Sequence, residues 1–182
     1  MRHINIIRSI LLIVSIFLIT SCSNNSAMKP EDFRNKEPRL IIEEYLSGNV
    51  KAWGVLQNRS GKVTRQFSAD LDGTWDGKQL ILKEKFNWDD GEVQNREWTI
   101  NKIDENNYEG TAGDVVGKAK GYYYGPAFKF EYVLLVPIKG KEIKITFDDW
   151  IFKQDDKVAI NRATMSKFGI KVAELTVMFF KN

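Results

Sequence analysis

The sequence predicts an all-β protein, an antiparallel up-and-down β-barrel or strongly twisted meander of about nine or ten strands with one short N-terminal helix. Three observations predict it. From Val50 to the end, apolar residues recur with period two, as they do when alternate side chains face a core. Runs of roughly ten residues are separated by turn chemistry at Ser60-Gly61, Asp76-Gly77, Asp89-Asp90-Gly91, Glu105-Asn106-Asn107, Gly140-Lys141 and Asp155-Asp156. Only one segment has helical spacing. Long strands joined by hairpins favour closure, because a barrel has no exposed edges.

The elements follow in chain order. Residues 1–21 read as a lipoprotein signal peptide: a basic start with Arg2 and Arg8, an apolar run from Ile10 to Ile19, then Ile19-Thr20-Ser21-Cys22. In such a signal the small residues before the cysteine admit the peptidase, and the thiol is acylated. The apolar run is shorter than the ~20 residues that span a bilayer. Cys22 is the expected lipidation site and membrane contact, and Ser23 after it points to a cell-envelope location, the outer membrane facing the periplasm if the cell is Gram-negative. Residues 22–36 are the acylated Cys and a polar tether. Residues 37–182 are one β domain, opened after Pro38 by a short amphipathic helix. There Leu40, Ile41, Ile42, Tyr45 and Leu46 face the sheet, Glu43 and Glu44 face water, and Gly48 ends it.

Composition excludes several chemistries. Cleavage after Ser21 leaves 161 of 182 residues and removes His3, the only histidine, while Cys22 is the only cysteine. Nucleophilic triads, His/Cys zinc sites and internal disulfides therefore lack their residues. Net charge falls from +3 to +1 once Arg2 and Arg8 are gone, and no basic face for nucleic acid is evident. No cofactor is implied.

Parity assigns one face of each strand to the interior. Val63, Arg65, Phe67, Ala69 and Leu71 form one row; Leu80, Leu82, Glu84 and Phe86 a second; Arg96, Trp98 and Ile100 a third; Ile143, Ile145, Phe147, Asp149 and Ile151 a fourth. Each row carries one charge, and an unpaired buried charge costs several kcal/mol. Arg65, Glu84, Arg96 and Asp149 must pair with each other or meet ligand and water. Arg162, on a strand of ambiguous parity, joins them and Trp98 as ligand-binding candidates. An arginine in an apolar cavity suits the carboxylate or phosphate of an amphiphile. The alternative is a closed salt-bridge network in a solid barrel.

Gly113, Gly117, Gly121 and Gly125 recur every fourth residue, which in an extended chain makes one bare face at a sharply coiled corner. Asp70, Asp72 and Asp76 do not have calcium-loop spacing, and Asp76-Gly77 is a hairpin signal. A glycosidase-like carboxylate pair requires Asp149 to meet Glu84 across the barrel.

Gly73-Thr74-Trp75 resembles the glycine-x-tryptophan element of lipocalins, which there lies on the first strand. A fuller resemblance runs through Ala52-Trp53-Gly54, Gly73-Thr74-Trp75-Asp76-Gly77, Arg96-Glu97-Trp98, Tyr108 to Gly117, Phe147-Asp148-Asp149-Trp150 and Ser166-Lys167-Phe168-Gly169. From about Phe33 to Phe180 the chain resembles a family of bacterial lipoproteins catalogued as domain of unknown function 3833. The resemblance implies envelope location, a lipocalin-like β fold and a lipid-related role, and it carries no catalytic residues over. Gly113-Asp114 stands where the family more often has two aspartates.

The leading expectation is a membrane-anchored, non-enzymatic binder of a fatty acid or other amphiphile, with Arg65, Arg96 or Arg162 at the head group. One alternative is an interaction protein with a solid barrel whose outer face, with Trp150 and the tyrosines, docks a partner. The other is an enzyme working on a lipid or sugar through carboxylates alone.

Overall fold

The computed structural model describes residues 27–182. The signal peptide and the acylation site at Cys22 lie outside the described residues. Ten strands, β1 (Gly48–Asn58), β2 (Val63–Trp75), β3 (Gln79–Trp88), β4 (Val93–Lys102), β5 (Asn107–Thr111), β6 (Ala119–Tyr124), β7 (Ala127–Ile138), β8 (Lys141–Lys153), β9 (Val158–Lys167) and β10 (Ile170–Lys181), follow one another as an antiparallel meander. The ring shuts where β1 pairs with β10, from Val50↔Lys181 to Asn58↔Ala173. Of the two predicted forms the closed barrel is therefore the one adopted. The parity rows hold: β2 alternates exposed and buried from Gln66 to Thr74, and β8 does so from Lys144 to Asp148.

The glycine run does not form one face. Gly113 and Gly117 lie in the connection between β5 and β6, Gly121 lies on β6, and Gly125 is in the turn to β7. The chain leaves the extended conformation there, with Gly117 at φ +76°, so counting by twos fails across it. Gly121 serves packing: a Cβ there would strike the Phe128 ring and the Cβ of Tyr108.

The two ends of the barrel differ. The β1–β2, β3–β4, β7–β8 and β9–β10 hairpins and the β5–β6 connection surround a mouth. The opposite end is a floor closed by the N-terminal segment, in which helix α1 (Ile42–Tyr45) is a single turn. Leu40, Ile42, Tyr45 and Leu46 are buried against the barrel core. Glu43, expected on the wet side, is 4% exposed; it accepts from Lys102 Nζ at 2.5 Å and from Tyr108 Oη at 2.8 Å. A turn that stoppers a barrel has no solvent face, so its polar residue needs internal donors.

Trp150 points outward yet is buried, because Phe33 from the 3₁₀ turn Pro30–Phe33 packs on it at 6.0 Å between ring centres. The expected docking face at Trp150 is thus occupied by the chain itself. The ring of strands, the stopper and this strap all lie within residues 30–182 and pack on one another.

Candidate functional site

Between floor and mouth the barrel encloses a cavity of about 600 Å³. The solid-barrel expectation is corrected by this space. It exists because inward positions alternate large rings with small residues: Ala52, Ala69, Ala159 and Ala163 are fully buried on the walls and leave room opposite the Phe128, Phe130 and Trp98 rings. The lower walls, Leu71, Leu82, Ile100 and Phe128 with Ile42 and Leu46 of the stopper, are apolar.

One polar cluster interrupts these walls, and it is assembled from five strands and a loop. Glu84 on β3 and Arg96 on β4 are cross-strand partners. They lie 3.8 Å apart, with side chains 13% and 15% exposed. Asp114, from the β5–β6 connection, takes the guanidinium more closely, accepting from Nε at 3.0 Å and from Nη2 at 2.8 Å. Asp149 on β8 accepts from Tyr132 Oη of β7 at 3.0 Å, and the Asn161 amide of β9 also donates to it. Trp98 packs edge-on against Tyr132 at 5.3 Å.

The electrostatic balance of this cluster is acidic, with three carboxyl groups around one guanidinium. Burial pushes the Glu84 carboxyl up to about 7, and the Arg96 charge and the Trp98 indole pull it back only in part. Burial likewise raises Asp149 to about 6 against the hydrogen bonds from Asn161 and Tyr132. Desolvation of the charged form is the dominant cause in both. The Tyr132 hydroxyl is held firmly protonated by burial and by the Asp149 charge.

Arg65 lies nearer the mouth and does not join this cluster. Its Nη2 donates to Asp90 at 2.7 Å and Glu92 at 2.8 Å on the β3–β4 hairpin, and its guanidinium carbon sits 4.0 Å above the Trp88 ring centre. Its Nε and the Trp88 Nε1 are buried without a hydrogen-bond partner, both on residues that line the upper cavity. Arg162 is outside the barrel. It is 67% exposed and paired with Glu174 at 3.0 Å, because the inward row of β9 is Ala159, Asn161 and Ala163. The candidates Glu84, Arg96, Trp98 and Asp149 are brought together, whereas Arg65 stands apart and Arg162 faces water.

The sequence reading missed Asp114, Tyr132 and Asn161 as members of the cluster. Asp114 belongs to a loop that parity cannot reach. Tyr132 begins the run Tyr132-Val133-Leu134-Leu135-Val136, where both faces are apolar and no alternation shows. The turn aspartates do what their spacing suggested, as Asp76 Oδ1 accepts the backbone N–H groups of Lys78 and Gln79. Among the described residues no group of three His, Cys, Asp or Glu side chains is placed to hold a metal ion.

Comparisons with known proteins agree with this architecture. A family model described as "Protein of unknown function (DUF3833)" matches residues 16–181. No curated protein matches the chain. Among solved structures, the S-type phycobiliprotein lyase CPES from Guillardia theta is similar with a TM-score of 0.58 at 10% identity, over 77% of this chain and 90% of that one. A protein of unknown function from the DUF3598 family of Nostoc punctiforme PCC 73102 is similar with a TM-score of 0.60 at 14% identity. That match covers 81% of this chain and about half, 51%, of the other. At these identities the likeness concerns the fold, a lipocalin-like barrel.

Proposed function

From the premise that this chain belongs to the DUF3833 family, we propose that it is a non-enzymatic binding protein that holds an amphiphile inside its barrel, tethered to the cell envelope through an acylated Cys22. The observation that carries the reading is the cavity of about 600 Å³. Its size is that of small-molecule sites, its lower walls are apolar, and its polar groups converge on one patch of wall. Each methylene of a tail buried there contributes roughly 0.8 kcal/mol. The patch fixes where the polar end lies.

The charge of that patch selects the polar end. A free fatty acid, the ligand suggested by inward arginines, would meet three carboxyl groups and an Arg96 already engaged by Asp114. Its carboxylate must arrive protonated or displace Asp114. A neutral or cationic end that donates hydrogen bonds, a hydroxyl or an amine, finds acceptors on Glu84 and Asp149 without displacing anything. The second reading is a carboxylate-dependent enzyme, favoured by two cavity carboxyls titrating near neutrality, as general acids do. The polar groups beside the two carboxyls, Arg96, Tyr132 and Asn161, are already engaged with Asp114 and Asp149 and not free to orient a sugar or ester, so binding is the better reading.

Native mass spectrometry of residues 27–182, purified without detergent and followed by organic extraction, tests this. A bound amphiphile at one per chain, lost when Leu82→Trp fills the lower cavity, is expected. A clean apo mass with no uptake of long-chain amines, alcohols or acids overturns the binding reading, and turnover of an added ester or glycoside establishes the enzyme.

A further inference from the structure

The mouth of the barrel is not uniform. Around the closed ring the tips of β1–β2, β9–β10 and β7–β8 are consecutive. Along this arc stand Arg59, Lys62, Lys139, Lys141, Lys167 and Lys171; the acids beside them are Glu142 and Glu174, the latter paired with Lys171 at 2.8 Å. Interleaved with them are exposed apolar side chains: Val63 at 44%, Ile138 at 45%, Ile170 at 56% and Phe168 at 91%. The β3–β4 tip, which adjoins β1–β2 at one end of the arc, is acidic, with Asp89, Asp90 and Glu92 beside an exposed Val93. The near-neutral total charge conceals this polarity.

Two of the basic tips also break the rule of their turns. Phe168 and Lys139 have φ +51°, each followed by a glycine at φ +75°. The first position of such a hairpin turn is ordinarily Asn, Asp or Gly, since other side chains crowd the backbone in the left-handed region. Phe168 accepts that strain at a place where its ring touches little of the protein beyond the Lys167 ammonium, 5.3 Å from the ring centre. Neither stability nor turn formation explains a phenylalanine there.

We propose that this arc of the mouth docks on an anionic lipid bilayer, with Phe168, Ile138 and Ile170 entering the interface and the flanking lysines meeting the head groups. Protruding single apolar side chains ringed by lysines suit a bilayer surface, where each basic residue and each inserted ring adds independently. The inference does not depend on what the cavity holds, although an amphiphile leaving a bilayer would enter through the docked mouth.

Residues 27–182 contain no cysteine, so a single introduced thiol can report the orientation. An environment-sensitive fluorophore is placed on Phe168→Cys at the mouth or on Ile103→Cys at the floor, where Ile103 is 56% exposed. Vesicles of phosphatidylcholine with about one-third phosphatidylglycerol are compared with phosphatidylcholine alone, because the basic arc acts through surface charge. The mouth label is expected to shift to the blue on the anionic vesicles and the floor label to stay unchanged. In co-sedimentation, Phe168→Asn, which keeps the turn, lowers binding roughly tenfold, and Lys139→Gln and Lys141→Gln lower it roughly fivefold each. A response from both labels, no response from either, equal binding to neutral vesicles, or wild-type binding by Phe168→Asn overturns the proposal. The vesicles carry no extracted ligand, so failure here is distinct from failure of the cavity reading.

Discussion

Two buried glutamates in the same barrel are treated in opposite ways. At the floor, Glu43 accepts from Lys102 and Tyr108 at hydrogen-bond distance beneath a stopper of Leu40, Ile42 and Leu46. Halfway up, Glu84 lines the cavity, and its cation among the described residues, Arg96, lies 3.8 Å away and is held more closely by Asp114. A buried carboxylate with two near donors locks two elements together. One that is incompletely served beside open space leaves acceptor capacity for something that enters. The difference separates what holds this barrel shut from what it has available for a ligand.

The sharpest way to break that comparison is to remove the cation from the middle. Arg96→Met leaves Glu84 and Asp114 facing each other across an apolar wall. It is expected to lower unfolding free energy by about 3 kcal/mol at pH 8, read by urea titration, and by less than half as much at pH 5. The pH dependence is the test: Glu84, held at about 7, sheds its charge by pH 5. An equal loss at both values would mean that the cluster is not ionised as described.

At the floor, Glu43→Gln keeps the shape and weakens both hydrogen bonds, for a loss of about 2 kcal/mol. Ligand occupancy by native mass spectrometry should be unchanged. Lost occupancy with intact stability would move Glu43 from the structural to the functional side.

The smallest effect concerns Glu84 itself and runs the other way. Because burial raises its folded value above the ordinary 4.5 to about 7, its contribution to stability is complete below pH 4.5 and is lost as pH rises to about 7. Asp149 does the same between 3.8 and about 6. The wild-type melting temperature should therefore fall between pH 5 and 8. Glu84→Gln should flatten that slope and gain about 1 kcal/mol at pH 8. A wild-type curve already flat over this range would show that Glu84 is not held protonated by its surroundings.

The sequence made the middle more legible than the floor. An antiparallel strand with one wet face announces its interior by alternation, so Glu84, Arg96, Trp98 and Asp149 could be read as inward before any coordinates. The same rule failed on β9. There the inward residues are alanines and an asparagine, and Arg162 looked no more exposed than its neighbours. It was silent for Asp114, which a loop delivers, and for Tyr132, whose strand is apolar on both faces. Glu43 was misplaced because amphipathic spacing assumes a helix lying on a surface, whereas this single turn closes a hole. Local periodicity reports a residue's own element; it does not report what another element will set against it.

Pairing of β1 with β10 joins Val50 to Lys181, and this has a kinetic consequence. The contact that closes the ring joins the first and last strands of the meander, so a chain emerging from a ribosome or a translocation channel has no closed barrel until β10 has emerged. Until then it presents two unpaired strand edges and an unroofed apolar trough, the surfaces on which unfinished β proteins aggregate. High contact order of this kind slows folding. Deletion of β10 is therefore expected to leave the ring open, with β1 and β9 as its unpaired edges.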